Sequence, residues 1–232
     1  MNREAGGGAS KIPLTRQLIV DCALKIITER GFGALTMRSI AQKLQTGPAA
    51  LYVYFNNRQS LVDALINSAL AEVKIPDAEG GVAWDTQLEA LAMRTVESLV
   101  RYPGLSTGMV GRVPSADELL RISETYLKIL LDSGHDEITS LLAVDVLNSI
   151  VIAEANEITT FEATLGKDHL DEAENALSRL DPEEFSRLSR LSHVAMLSTP
   201  SERAQWAIHT FIRGLGANER SSTAVCQASA GL

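Results

Sequence analysis

Apolar residues recur along this chain at spacings of three and four, the pattern of amphipathic α-helices. Leu18, Ile19, Cys22, Ala23, Ile26 and Ile27 form one stripe in a helix predicted over 15–30. Gly31 should end it in the left-handed conformation, with Phe32 folding back as the hydrophobic contact. A short second helix is predicted over 37–44, with Thr36 as N-cap and Ile40, Ala41 and Leu44 facing inward. Gln45-Thr46-Gly47-Pro48 reads as a turn, and its proline suits the first turn of a third helix, predicted over 48–55. Asn56 or Asn57 caps a fourth helix, whose stripe runs Leu61, Val62, Leu65, Ile66, Ala69, Leu70 and Val73. Nothing alternates long enough to predict a useful β-strand, so the expected fold class is all-α.

Ile75-Pro76 and the acidic, glycine-bearing stretch 77–81 break the pattern. Further helices are predicted near 84–101, 103–110, 115–132, 136–165, 182–196 and 201–214, with 166–180 an acidic loop holding a partial helix. The expected organisation is a flexible tail over 1–10, a first domain over 11–75, a larger helical domain over 76–216 and a disordered tail over 217–232.

The charge distribution changes the picture more than the composition does. The 232 residues carry a net charge of −8, which alone argues against a nucleic-acid partner. Residues 1–75, however, hold nine lysines and arginines against five acids, an excess of +4 that leaves −12 on the rest. A polyanion would meet only the first third of the chain favourably. Hydrophobic residues make up 45% and charged residues 22%, ordinary values for a globular protein. The richest apolar run, 138–153, is broken by Asp145, Asn148 and Ser149, so no membrane span is expected. The glycine-rich start lacks a secretory signal's apolar core. Cys22 and Cys226 are too few and too far apart for a disulfide framework or metal site. A cytoplasmic location is expected.

Two short helices joined by a glycine-bearing turn, between longer amphipathic helices, describe a helix-turn-helix. The second of the pair must lie in a DNA major groove about 12 Å wide and present its N-terminal residues to base edges. Its outward positions here are Pro48, Ala49, Tyr52, Val53 and Tyr54: small residues, which permit close approach, and phenols, which can donate to phosphates. Leu51 and Phe55 fill the inward positions. Arg38 and Arg58 flank this surface as phosphate clamps or a guanine reader.

The segments Leu35-Thr36-Met37-Arg38-Ser39-Ile40-Ala41-Gln42-Lys43-Leu44 and Ala50-Leu51-Tyr52-Val53-Tyr54-Phe55-Asn56-Asn57-Arg58-Gln59-Ser60-Leu61 resemble the tetracycline-repressor (TetR) family of bacterial regulators. So does the preceding Glu29-Arg30-Gly31-Phe32. The likeness extends from about Thr15 to Leu65. It implies a homodimer that binds a near-palindromic double-stranded operator and is released by a small-molecule effector. By position, it implies DNA contacts from Thr36, Arg38, Thr46, Pro48, Ala49, Tyr52, Tyr54 and Arg58. Gln45 departs from the family, which usually has glycine after the second helix.

In the second domain, Trp84, Gly111, Pro114 and Gly134 resemble landmarks of the tetracycline repressors. On that alignment the metal-chelating histidine falls at Met109, and the arginine before the shared proline becomes Val113. The implied effector is therefore more apolar than a metal–tetracycline complex, with Leu91, Thr95, Met109, Val113, Tyr126, Asn148, Ser149 and Ile152 lining its site. The polar row Asp145, Asn148/Ser149, Ile152 and Asn156 along an apolar helix should face a ligand, a partner subunit or water. Dimerisation is expected through the 136–165 and 201–214 helices, with Trp206 and Phe211, and His209 at the interface.

Gly104-Leu105-Ser106-Thr107-Gly108 matches the nucleophile-elbow spacing, but that turn needs a preceding strand, and here a helix precedes it. His135, His169, His193 and His209 are scattered, and no phosphate-binding or metal motif is present. No catalytic residue, cofactor or metal is therefore expected. The competing classes are an all-helical enzyme and a protein-interaction adaptor with a vestigial DNA-binding module.

Overall fold

The structure, a computed structural model, describes residues 13–76, 81–111, 115–164, 175–195 and 198–217. Every regular element in them is helical. In chain order these are α1 (Arg16–Arg30), α2 (Met37–Lys43), α3 (Pro48–Leu51), α4 (Arg58–Leu70), α5 (Trp84–Val100), α6 (Asp117–Asp132), α7 (Glu137–Thr164), α8 (Ser186–Ala195) and α9 (Pro200–Ala217). The predicted tail 1–10, the predicted tail 217–232 except for Ala217, which ends α9, and Val113 lie outside the described residues.

Local chemistry sets the first four helices. Thr15 Oγ1 accepts from the Leu18 N–H to start α1. Gly31 ends it at φ +76° and ψ +164°, more extended than the expected left-handed cap but still in the positive-φ range that favours glycine. Thr36 and Ser39 form a reciprocal capping box at the start of α2, and Asn57 with Ser60 forms one at α4. α3 is shorter than predicted. After Leu51 the chain turns, and the Tyr54 and Phe55 N–H groups both donate to the Leu51 carbonyl at 3.0 Å. That turn lets Leu51 and Phe55, both fully buried, enter the same core. Each such burial contributes about 1.5–3 kcal/mol.

The predicted 103–110 helix is likewise only a 3-10 turn, Leu105–Gly108, entered through Gly104 at φ +78°. This segment runs back to the first domain: the Phe32 N–H donates to the Pro103 carbonyl at 2.9 Å. α4 packs on α1, α5 and α6, so it belongs to both halves of the molecule. Ser98 Oγ fastens α5 to it by donating to the Ala69 carbonyl at 2.6 Å, and Asn67 Oδ1 accepts from the Glu118 N–H at 2.9 Å.

α7 packs on α5, α6 and α9. Against the sequence expectation, its segment Glu137–Phe161 is long and apolar enough to span a bilayer, with a mean hydropathy of 1.7. One line of it, Ala143, Leu147, Val151, Ala155 and Ile158, is buried inside the protein, while Ile138, Leu141, Leu142 and Val146 are exposed.

Candidate nucleic-acid interface and effector cavity

The helix-turn-helix leaves most of the expected contacts open to solvent. Thr36, Arg38, Pro48, Ala49 and Arg58 are exposed, Tyr52 is half exposed at 50%, and Thr46 is half-buried. Pro48 and Ala49 open α3 after the Gly47 N-cap, so α3 starts with two small side chains and no acid. Val53, 80% exposed, extends this surface with an apolar group able to meet a thymine methyl.

Tyr54 is the correction. Its ring is half-buried against the core, and its hydroxyl donates to the Leu14 carbonyl at 2.5 Å. The turn after Leu51 rotates the phenol inward, away from the outward position that a continued helix would give it. Tyr54 thus ties the α3 turn to the start of α1. Arg16 reinforces that tie: its Nη1 donates to the Tyr54 carbonyl at 3.0 Å, and its guanidinium lies 4.4 Å from the Phe55 ring centroid. Sequence reading passed over Arg16 because a cation opening an amphipathic helix looks like an ordinary solvated residue.

Two first-turn features favour an anionic partner. None of α1, α2, α3 and α4 has an acidic residue in its first turn. Arg16 and Arg58 stand at the first position of α1 and α4, and Arg38 at the second position of α2. Cations there oppose the helix dipole, while the exposed N–H groups attract phosphate. The Arg58 guanidinium is held 4.9 Å from the centroid of the Phe32 ring.

Beyond this face lies a cavity of about 660 Å³, between α4, α7 and the segment joining α5 to α6. Met109, Asn148, Ser149 and Ile152 line it, as expected of them. Leu91, Thr95 and Tyr126 do not. They are buried at 0–1% exposure in the packing of α5 against α6, where Thr95 Oγ1 and the Tyr126 hydroxyl lie 3.4 Å apart. Their spacing shows only that they face inward, and inward here means solid core. Burial pushes the Tyr126 hydroxyl well above the usual phenol range, so it stays neutral.

Sequence reading missed Asp63 and Ile66 of α4 in the lining, along with Val110, Gly111, Ser115, Ala116, Leu119 and Ala153. Assigning α4 wholly to the DNA-binding module hid them. Of the polar row on α7, Asp145 lines the cavity, and Asn148 donates to Ser123 Oγ at 3.0 Å. His209 is paired within the chain, its Nδ1 2.9 Å from Glu89 Oε2, rather than left for a partner. Trp206 of α9 is 70% exposed, and Phe211 is half-buried.

The fold and site define a helix-turn-helix protein in which a cavity shares α4 with the helix-turn-helix module. Residues 19–65 match the profile of "Bacterial regulatory proteins, tetR family". The chain is 28% identical over 155 residues to the class D tetracycline repressor protein of Escherichia coli, covering 66% of this chain and 70% of that one. It is 24% identical over 204 residues to an HTH-type transcriptional regulator of Saccharopolyspora erythraea, covering 87% and 81%. The structure superposes on ActR of Streptomyces coelicolor, a TetR family protein solved with actinorhodin, with a TM-score of 0.79 and 28% identity over 90% of this chain and 100% of that one. In its N-terminal module and in its overall fold the chain is thus similar to TetR family transcriptional regulators.

Proposed function

We propose that this chain is a cytoplasmic, homodimeric repressor that binds a palindromic operator and is released by a small, largely apolar effector. The observation that carries this reading is the shared helix. α4 begins with Arg58 on the DNA face and, one to two turns later, places Asp63 and Ile66 in the cavity wall. A ligand that shifts α4 therefore acts on both sites at once. Thr36, Arg38, Thr46, Pro48, Ala49, Tyr52 and Arg58 make the DNA contacts, while Tyr54 and Arg16 hold the turn that presents them.

The effector binds against Ile66, Met109, Leu119 and Ile152, with Asn148 and Ser149 orienting it. Asp63 and Asp145 make a neutral or cationic molecule a better fit than an anion. ActR shows that a neighbour of this fold takes actinorhodin, which makes molecules of that size the first to try. The second subunit packs across α7 and α9, where Leu141 and Trp206 are exposed at 63% and 70%. The protein acts by binding rather than by turnover.

Selection of duplexes from a random DNA pool at two salt concentrations tests the reading. An inverted repeat should be enriched, with affinity falling steeply as salt rises. Absence of enrichment at low salt would favour the adaptor. A thermal-shift screen should find saturable stabilisation by apolar molecules and none by a magnesium–tetracycline complex.

A further inference from the structure

We infer that Phe32 is a positioning residue for operator binding, the pivot through which the 103–111 segment holds Arg58 on the DNA face. The inference rests on the DNA-binding reading above and adds a route between the two sites.

One hydrogen bond, the close approach of two glycines and one cation–π contact define the pivot. The Phe32 N–H donates to the Pro103 carbonyl at 2.9 Å, which fixes its backbone to the effector domain. A Cβ on Gly104 would come within 3.3 Å of the Phe32 Cβ. A Cβ on Gly108 would lie 3.1 Å from Phe32 Cζ and 3.0 Å from Val62 Cγ1, so the ring sits close against the glycine and any larger residue would have to push it aside by a few tenths of an ångström. On another side of the ring the Arg58 guanidinium lies 4.9 Å from the centroid. The two glycines are those of the Gly-Leu-Ser-Thr-Gly stretch that has no use as a nucleophile elbow.

Arg58 needs such a holder. It is exposed at the first position of α4, where the helix dipole repels a cation, and no acid stands in that turn to pair with it. A ring face supplies attraction without neutralising the charge that a phosphate must meet. Immediately after Gly108, Met109, Val110 and Gly111 line the effector cavity. Displacement of that segment by a ligand therefore moves the glycine seat, then the ring, then Arg58.

The test is a double-mutant cycle on the full-length protein with the duplex recovered by selection as probe. Phe32→Leu keeps an apolar side chain but loses the ring, and should weaken binding about two- to fivefold, the size of an exposed cation–π contact. Gly108→Ala, which crowds the ring, should do the same. Phe32→Tyr should bind within twofold of the parent. In an Arg58→Ala background both losses should disappear, because the ring then has no cation to place. Equal losses with and without Arg58 would overturn the inference, showing a general packing role. Loss of binding by Phe32→Tyr equal to that of Phe32→Leu would overturn it as well. Failure to recover any duplex would instead overturn the DNA-binding reading, and this inference with it.

Discussion

Apart from α8, which also starts without an acid, the described helices of the two halves begin differently. α5 opens with Asp85, α6 with Asp117 and Glu118, α7 with Glu137 and α9 with Glu202, all acids where the dipole favours them. At α9 the acid closes a reciprocal capping box, Thr199 N–H to Glu202 Oε2 at 2.7 Å and Glu202 N–H to Thr199 Oγ1 at 3.2 Å. α2 and α4 build the same box with a serine in the acid's place, Ser39 and Ser60. Serine satisfies the backbone without adding negative charge. The helix starts that surround the DNA face thus forgo the usual stabilising carboxylate and leave their positive ends for phosphate. The acids of α1 and α4, Asp21, Glu29 and Asp63, all lie past the first turn.

Placing an acid at such a start should separate stability from function most sharply. Ala49→Glu puts a carboxylate in the first turn of α3 at an exposed position. The free protein should keep its melting temperature or gain slightly, since an acid there contributes about 0.3–1 kcal/mol. Operator affinity should fall by more than about a hundredfold, because like charges brought together at an interface cost several kcal/mol. Fluorescence anisotropy on labelled duplex reads one effect and calorimetry the other. Retention of affinity would show that α3 does not enter the groove.

Removing the cations should have a smaller effect with a different signature. Arg38→Ala and Arg58→Ala should each weaken operator binding about five- to fiftyfold. A phosphate contact should also lower the slope of log affinity against log salt by about one, whereas a guanine contact should relax sequence preference at one position. Arg203→Ala, whose side chain instead pairs with Glu157 at 3.0 Å, should change neither.

This difference also explains what was legible in the sequence. α2 and α3 are short, α1, α2 and α4 open on side-chain caps, and the outward residues are ones that no solvated face would choose, so the helix-turn-helix and its candidate contact residues are legible there. Tyr54 was misread because periodicity assumed that α3 continues, whereas one turn of helix and a tight bend rotate the ring inward. The cavity was harder. Leu91, Thr95, Tyr126, Met109 and Ile152 share one inward-facing pattern, and only three-dimensional packing separates solid core from cavity wall. Asp63 and Ile66 were hidden because they line a cavity in one half from a helix counted in the other.

Gln45 marks the one place where the DNA-binding half accepts strain. It sits at φ +52°, the only positive φ outside glycine among the described residues. A side chain in that region costs about 1–2 kcal/mol. Gln45→Gly should therefore raise stability by up to about 1 kcal/mol, the gain trimmed by glycine's greater freedom when unfolded. Chemical denaturation with an unchanged m-value would register this. A loss of stability would mean that the glutamine side chain makes up for the strain through its own contacts.

The smallest effect lies at the opposite kind of helix start. Hydrogen bonds from the Thr199 backbone N–H and hydroxyl hold the Glu202 carboxyl below its usual range. A carboxyl with a depressed folded-state pKa stabilises the protein at pH values above its unfolded value, about 4.3 for glutamate. That contribution fades as pH falls through the folded value. Glu202→Gln keeps a hydrogen-bonding side chain but removes the charge, so it should lower the melting temperature slightly at pH 7 and not at all in strong acid. Operator binding should be unchanged at both high and low salt. Ser60→Glu, the reciprocal exchange at α4, should shift stability only slightly and weaken operator binding clearly. If both substitutions left binding untouched, the absence of acids at the DNA-side helix starts would have no electrostatic purpose. The opposed responses are what an interface kept open for phosphate requires.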